Sequence, residues 1–230
     1  MSFDPRTFLR FFLLAAVHSL SKLFFRFRVQ WVGKRPRHPF REARVVILLN
    51  HTSLMEPIFL ALPPVGWLWK AAGRGLMPGA DSTLDRPLVG RFFKWMVPDA
   101  VSVTRNRDHT WRDFLSRIQG GKIVVMSPEG RMKRRTGLDK HGRPMSMRGG
   151  ISDVLDRVED GTLVILYSGG LHHVQAPGEG WPKPFQEVRA RLEEMPVSQY
   201  KKLMAHGSPE FRTNVMADLE KRRDRHCAWE

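Results

Sequence analysis

Five consecutive apolar residues, Val45-Val46-Ile47-Leu48-Leu49, run without polar alternation and stop at Asn50-His51. A strand with one solvated face alternates apolar and polar residues, so this run must be covered on both faces, as interior strands of parallel sheets are. It therefore predicts an α/β chain that delivers its next polar residues to the end of a buried strand, where the binding sites of open α/β sheets collect. Further strands are expected at 67–71, 100–104, 122–126 and 162–167, with helices at 57–62, 88–96, 110–119 and 150–158 between them. That alternation predicts a mostly parallel sheet flanked by helices, with right-handed crossovers. The C-terminal third reads as helical, with Phe185, Val188, Leu192 and Met195 on one stripe and Phe211, Val215 and Leu219 on another.

The chain has 230 residues with 42% apolar content, enough for one substantial core. Its domains read as an N-terminal membrane-associating helix and basic connector over 1–43, then one folded domain over 44–230 with a helical C-terminal part. A lone cysteine, Cys227, excludes an intrachain disulfide and a cysteine-rich metal site. The pair His172-His173 has no companion ligand spacing, so no metal is expected. A net charge of +15 attracts anionic partners of any kind. It is densest over 131–148, where seven Lys and Arg face only Asp139. Neither an aromatic-interleaved nor a zinc-finger pattern accompanies it, so nucleic acid is not expected as a partner.

Residues 3–27 are rich in Phe and Leu but are interrupted by Arg6, Arg10, His18, Lys22 and Arg26, leaving 11–17 as the longest uncharged apolar stretch. A spanning helix needs about 20 predominantly apolar residues. The segment instead fits an amphipathic helix lying in the interface of an anionic membrane, and it lacks the small-residue cleavage site of a secretory signal. A helix packed on the protein's own core would show a similar pattern.

The strand end carries His51 with Glu56 five residues on, a base and an orienting carboxylate, or equally a pair that caps the turn into the helix near Pro57. Two more strand ends bear charge: Val101-Ser102-Val103-Thr104-Arg105, and Val124-Val125-Met126-Ser127-Pro128-Glu129-Gly130-Arg131. In this order the three blocks resemble those of the glycerolipid acyltransferases, the family that includes the lysophosphatidic acid acyltransferases. There the blocks read Asn-His-x-Ser-x-x-Asp, a strand ending in Arg, and Phe-Pro-Glu-Gly-Thr-Arg-Ser. His51, Ser53, Arg105, Pro128, Glu129 and Gly130 match by position, and Lys70 and Arg148-Gly149-Gly150 extend the likeness. Glu56 stands where the family usually has Asp, Arg131-Met132 replaces Thr-Arg, and the last strand, Leu163-Val164-Ile165-Leu166-Tyr167-Ser168, lacks the family's prolines.

The resemblance implies an O-acyltransferase of phospholipid biosynthesis that moves a fatty acyl group from acyl-CoA or acyl carrier protein to a lysophospholipid hydroxyl, with 1-acylglycerol 3-phosphate as acceptor. The thioester is a co-substrate, and no cofactor is implied. His51 would be the general base and Glu56 its orienter. Arg105 would grip phosphate with its planar fork, supported by Arg131 or Lys133 in place of the missing arginine. Ser53, Lys70, Glu129 and Gly130 complete the implied acceptor site, Glu129 by orienting an arginine or hydroxyl and Gly130 by presenting its amide. Ser53 as an acyl-enzyme nucleophile is the rival, although it lacks the Gly-x-Ser-x-Gly elbow. Leu54, Phe59, Trp67 and Trp69 are candidates for lining the acyl chain. The expected location is the cytoplasmic face of the membrane, as a peripheral protein. Alternatives are acylation of another amphipathic acceptor, such as an amino-acid lipid, and a non-catalytic lipid-binding protein.

Overall fold

The computed structural model describes residues 4–104 and 106–228. Helix α1 (Pro5–Phe24) starts where Asp4 accepts a hydrogen bond from the Arg6 amide at 3.1 Å, with Pro5 in the first turn, where its missing N–H costs nothing. Seven strands follow: β1 (Arg26–Trp31), β2 (Ala43–Leu49), β3 (Gly75–Ala80), β4 (Asp99–Val103), β5 (Ile123–Met126), β6 (Thr162–Ser168) and β7 (Glu187–Pro196). They form one sheet in the order β1-β7-β6-β2-β5-β3-β4, in which only the β6–β7 pairing is antiparallel. A 3-10 turn over Glu56–Ala61 and helices α2 (Val65–Arg74), α3 (Asp81–Leu84), α4 (Pro87–Met96), α5 (His109–Ser116), α6 (Gly150–Arg157), α7 (Val197–Leu203) and α8 (Phe211–His226) complete the fold.

The apolar run Val45–Leu49 lies at the centre as part of β2, between β6 and β5. Its side chains divide by the two-residue period of a strand. Val45, Ile47 and Leu49 pack beneath α5, α6 and α8 with Phe114, Ile151, Leu155 and Val215. Val46 enters the opposite layer with Leu14 of α1, Leu68 of α2 and Ile58 of the 3-10 turn. Both faces are therefore covered, as an unalternating strand requires.

Three local expectations are corrected. Residues 67–71 are helical within α2, because Trp67, Leu68, Ala71 and Ala72 make one buried helical face after Pro64; the neighbouring strand is the glycine- and proline-bearing β3. The stripe through Val188 and Leu192 is the inner face of β7, since a period of two and a helical period share those positions and the buried Ala190 between them decides for a strand. Finally, residues 26–31, expected as helix end and connector, form β1 in parallel register with β7, so the sheet already begins before residue 44. The Phe211, Val215 and Leu219 stripe lies buried on α8 as expected.

Candidate active site

At the end of β2 the chain turns sharply, with Asn50 at φ +65°, a conformation that asparagine tolerates better than other side chains do. The Asn50 amide nitrogen Nδ2 donates to the Ser168 carbonyl at 2.9 Å, fastening the turn to the end of β6. Two carboxylates then hold the next backbone. Glu129 accepts from the amides of Asn50 at 3.2 Å and His51 at 2.7 Å, and Glu56 Oε1 accepts from those of Thr52 at 2.9 Å and Ser53 at 3.1 Å. The Lys133 amide donates to the His51 carbonyl, and the Leu171 amide to Thr52 Oγ1, both at 2.8 Å.

The second oxygen of Glu56, Oε2, stands 2.5 Å from His51 Nδ1, with the two side chains 13% and 21% exposed. The extra methylene relative to Asp is taken up by placing Glu56 at the first residue of the 3-10 turn. Burial by itself would lower the imidazole's pKa, but the facing Glu56 carboxylate, with Glu129 behind the backbone, outweighs it and raises the pKa above the ordinary histidine value. The imidazolium, once formed, is thus stabilised, which suits a base that must hold the proton it takes. Nε2 is left as the nitrogen pointing away from Glu56.

A cavity of about 440 Å³ opens at the C-terminal ends of β3, β4 and β5; neither His51 nor Glu56 lines it, and its link to their pair is the 127–130 loop, whose Ser127, Pro128 and Gly130 line the cavity while Glu129 bonds the His51 amide. The cavity lining includes Arg107, Arg148 and Arg212 and, among the described residues, no carboxylate, with Trp111, Met126 and Met147 as apolar wall. Gly149 and Gly150 permit the close approach. A Cβ on Gly149 would lie 2.2 Å from the Arg212 guanidinium, and one on Gly150 2.8 Å from the Trp111 ring. Asp153 gathers Arg107, Arg212 and the Trp111 ring N–H around one carboxylate.

His51, Glu56 and Glu129 come together as the sequence placed them, but Glu129 is fully buried and bonds the backbone that carries His51, so it neither faces an acceptor hydroxyl nor lines the cavity. Gly130 lines the cavity, yet its amide donates to the Ser127 carbonyl at 3.0 Å and is not available to an anion. Ser53 is a buried turn residue whose hydroxyl accepts from the Met55 amide. Lys70 projects from α2 and donates to the Arg41 carbonyl, away from the site. Arg131 is turned into its own loop, where it pairs with Asp139; backbone amides of Arg143 and His141, with Arg131, hold that carboxyl well below the usual range. Phe59 and Trp67 are core residues, and Trp69 packs edge-on against Phe8 and Phe11 of α1. Arg105 lies outside the described residues. Arg212, Trp111 and Arg223 were missed because they join the site through tertiary packing and belong to no short motif.

Titration of the His51 ring by NMR should give a pKa above about 6.5, the free histidine value, and Glu56→Gln should lower it, since burial then acts with one opposing carboxylate fewer. An unchanged His51 pKa in the Gln variant would break the proposed pairing.

A family model described as Acyltransferase matches residues 28–170, more than half of the chain. Comparison with curated proteins finds no match. Among solved structures, the chain is similar to the crystal structure of the 1-acyl-sn-glycerophosphate (LPA) acyltransferase PlsC from Thermotoga maritima, at TM-score 0.58 and 17% identity, over 96% of this chain and 85% of that one. That similarity shows a shared fold, and the family match over the three strand-end blocks, with His51 and Glu56 paired at their centre, shows that the chain belongs to the acyltransferase family.

Proposed function

We propose that the protein transfers a fatty acyl group from a thioester of coenzyme A or acyl carrier protein to the free hydroxyl of a lysophospholipid, with 1-acylglycerol 3-phosphate as acceptor. The observation that carries the reading is the His51–Glu56 pair, joined through Glu129 to the loop whose Ser127, Pro128 and Gly130 line an arginine-bearing cavity with no carboxylate among its described lining residues. An alcohol is too weakly acidic to ionise at neutral pH, so its proton must leave as the oxygen attacks. His51 Nε2 takes that proton while the hydroxyl oxygen bonds to the thioester carbonyl carbon. Collapse of the tetrahedral species breaks the C–S bond, and the imidazolium returns the proton to the departing sulfur. The products are an ester and a free thiol, with no enzyme nucleophile needed. Glu56 stabilises the imidazolium in between. The amides of residues 50–53 already donate to Glu129 and Glu56, so the oxyanion must be stabilised by other donors.

The acceptor phosphate is assigned to the cavity, where Arg107 and Arg212 face one shared Asp153 and Arg148 adds further positive charge. Arg105, the residue that ends the second block, is assigned to the same phosphate on the resemblance alone. The first test is thiol release from acyl-CoA and from acyl carrier protein with a panel of acceptors: lysophosphatidic acid, monoacylglycerol and a lyso amino-acid lipid. Lysophosphatidic acid should be the best acceptor, and no release with any acceptor would refute the reading. Arg105→Lys keeps the charge but loses the fork, and a charge-assisted bond contributes about 1.5 to 3 kcal/mol, so kcat/KM for lysophosphatidic acid should fall about tenfold or more. Monoacylglycerol should lose much less; equal losses would assign Arg105 to the fold or the donor.

The reading also places the protein on the membrane surface, on the cytoplasmic face where these donors are found. Helix α1 is long and apolar enough to cross a bilayer, yet one side of it is docked on the 3-10 turn and α2. Its polarity is inverted: His18 and Ser21 are buried with Leu14, whereas Leu9, Phe12, Leu20 and Leu23 are exposed. Leu88 and Trp95 of the adjoining α4 are exposed as well. An outward apolar side bordered by Arg6, Arg10 and Lys22 suits a helix half-sunk among anionic headgroups. Replacing Leu9, Phe12, Leu20 and Leu23 with Gln should abolish sedimentation with anionic liposomes, and high salt should weaken it in part by screening. Retention through salt and carbonate, with release only by detergent, would instead indicate a spanning helix.

A further inference from the structure

The buried stripe of α8 runs Phe211, Val215, Leu219, and the same spacing continued lands on Arg223 and then Cys227. An arginine at a core position must meet a buried partner or pay for desolvation. Arg223 is 15% exposed, and its Nη1 stands 3.7 Å from Oε1 of Glu129, which is fully buried. That same oxygen accepts from the Asn50 amide, while the other takes the His51 amide. Resting on the acyl-transfer reading above, we infer that Arg223 is a positioning residue for the reaction, whose guanidinium is the counter-charge that lets Glu129 stay ionised and hold the His51 backbone.

Several bonds fix the arginine in place. Its Nη1 donates to the Met145 carbonyl at 3.2 Å, and Glu220, one turn earlier on α8, accepts from the Met147 amide at 2.8 Å. On the next face of α8, Arg222 donates from Nη1 to both oxygens of Glu193 of β7 and from Nε to Asp218, which also accepts from the Tyr200 hydroxyl. Tyr167 of β6 donates to the same Glu193. The helix therefore cannot slide away from the sheet, and Arg223 reaches the catalytic loop from outside the segment that the family match spans.

The ionised carboxylate accepts both amides at full strength, whereas a proton on either oxygen weakens it as an acceptor and adds a donor that needs a partner of its own. Burial pushes the Glu129 carboxyl up, against the His51 amide bond, the Arg223 charge and His51 itself. Cys227 at the C-terminal end of α8 also faces Glu129, with Lys133 and Asp224 near that thiol, and Arg223 itself donates through Nε to Asp224 at 2.9 Å, leaving Nη1 as the group turned to Glu129. A carboxyl with a raised folded pKa favours the fold at low pH and loses that contribution as pH rises through the folded value. Without Arg223 the ionised form becomes still less favourable, so the damage must grow with pH in stability, whereas activity must fail first on the acid side, where Glu129 protonates early.

The experiment uses the full chain with Arg223→Met and Arg223→Lys, each in the wild-type and Glu129→Gln backgrounds, measuring Tm and kcat against pH. In Arg223→Met the loss of Tm should be larger at pH 8 than at pH 5, kcat should fall about tenfold near neutrality, as a shift of about one unit in the Glu129 pKa would produce, and the acid limb of kcat should move to higher pH. Arg223→Lys should recover much of both. In the Glu129→Gln background, Arg223→Met should cause no further movement of the limb and should raise Tm rather than lower it. A Tm loss that is independent of pH and additive with Glu129→Gln, or a kcat loss that is uniform across pH, would overturn the inference and leave Arg223 as an ordinary helix anchor. If the wild-type protein transfers no acyl group, the functional reading fails, but the Tm cycle still decides whether Arg223 neutralises Glu129.

Discussion

Two carboxylates hold four consecutive backbone amides at the end of the central strand, and the rest of the site depends on that arrangement. Glu129 takes the amides of Asn50 and His51, and Glu56 takes those of Thr52 and Ser53. A general base contributes only when its nitrogen is held within hydrogen-bond reach of the proton it removes. A loop that leaves a strand at positive φ has few interactions of its own to fix it, and here the fixing is done from β5, from the 3-10 turn and from β6 at once. Glu56 serves twice, since one oxygen shapes the turn and the other meets the imidazole.

The sheet topology explains why those elements are neighbours. β2 sits between β5 and β6, both of which come later in the chain, so the turn after β2 is flanked by the turns after each of them. Ligand sites of open α/β sheets form at such places because the loops diverge and leave a crevice. The cavity opens on the β5–β3–β4 side, and α8 closes it with Arg212 in its first turn while reaching the buried carboxylate with Arg223 near its last. The C-terminal helix, which follows the antiparallel strand β7, is thereby part of the site's wall and of its electrostatics.

Much of this was legible in the chain. A five-residue apolar run has few alternatives to a doubly covered strand, and the charges at three strand ends could converge only if those strands were parallel. What could not be read was set by packing. The α2 segment holds Trp and Ala residues that suit helix or strand, and its true strand neighbour carries Gly75, Pro78 and Gly79, which sequence rules place in loops. In β7 the apolar residues satisfied two periods at once. Arg131 and Gly130 occupy the expected loop but turn inward, because Asp139 and the Ser127 carbonyl compete for the groups an anion would need. Arg223 did leave a trace, as a charge in the register of an apolar stripe, but its partner lies 94 residues upstream, at Glu129.

The proposed chemistry turns on His51 as the general base. Its most direct test is the turnover of His51→Ala with acyl-CoA and lysophosphatidic acid at saturation, alongside its thermal melt. The imidazole lies at a strand end and is partly exposed, so Tm should change little, while a positioned base contributes roughly 10²- to 10⁴-fold and kcat should fall within that range. Full turnover in a variant that melts like the wild type would contradict the claim.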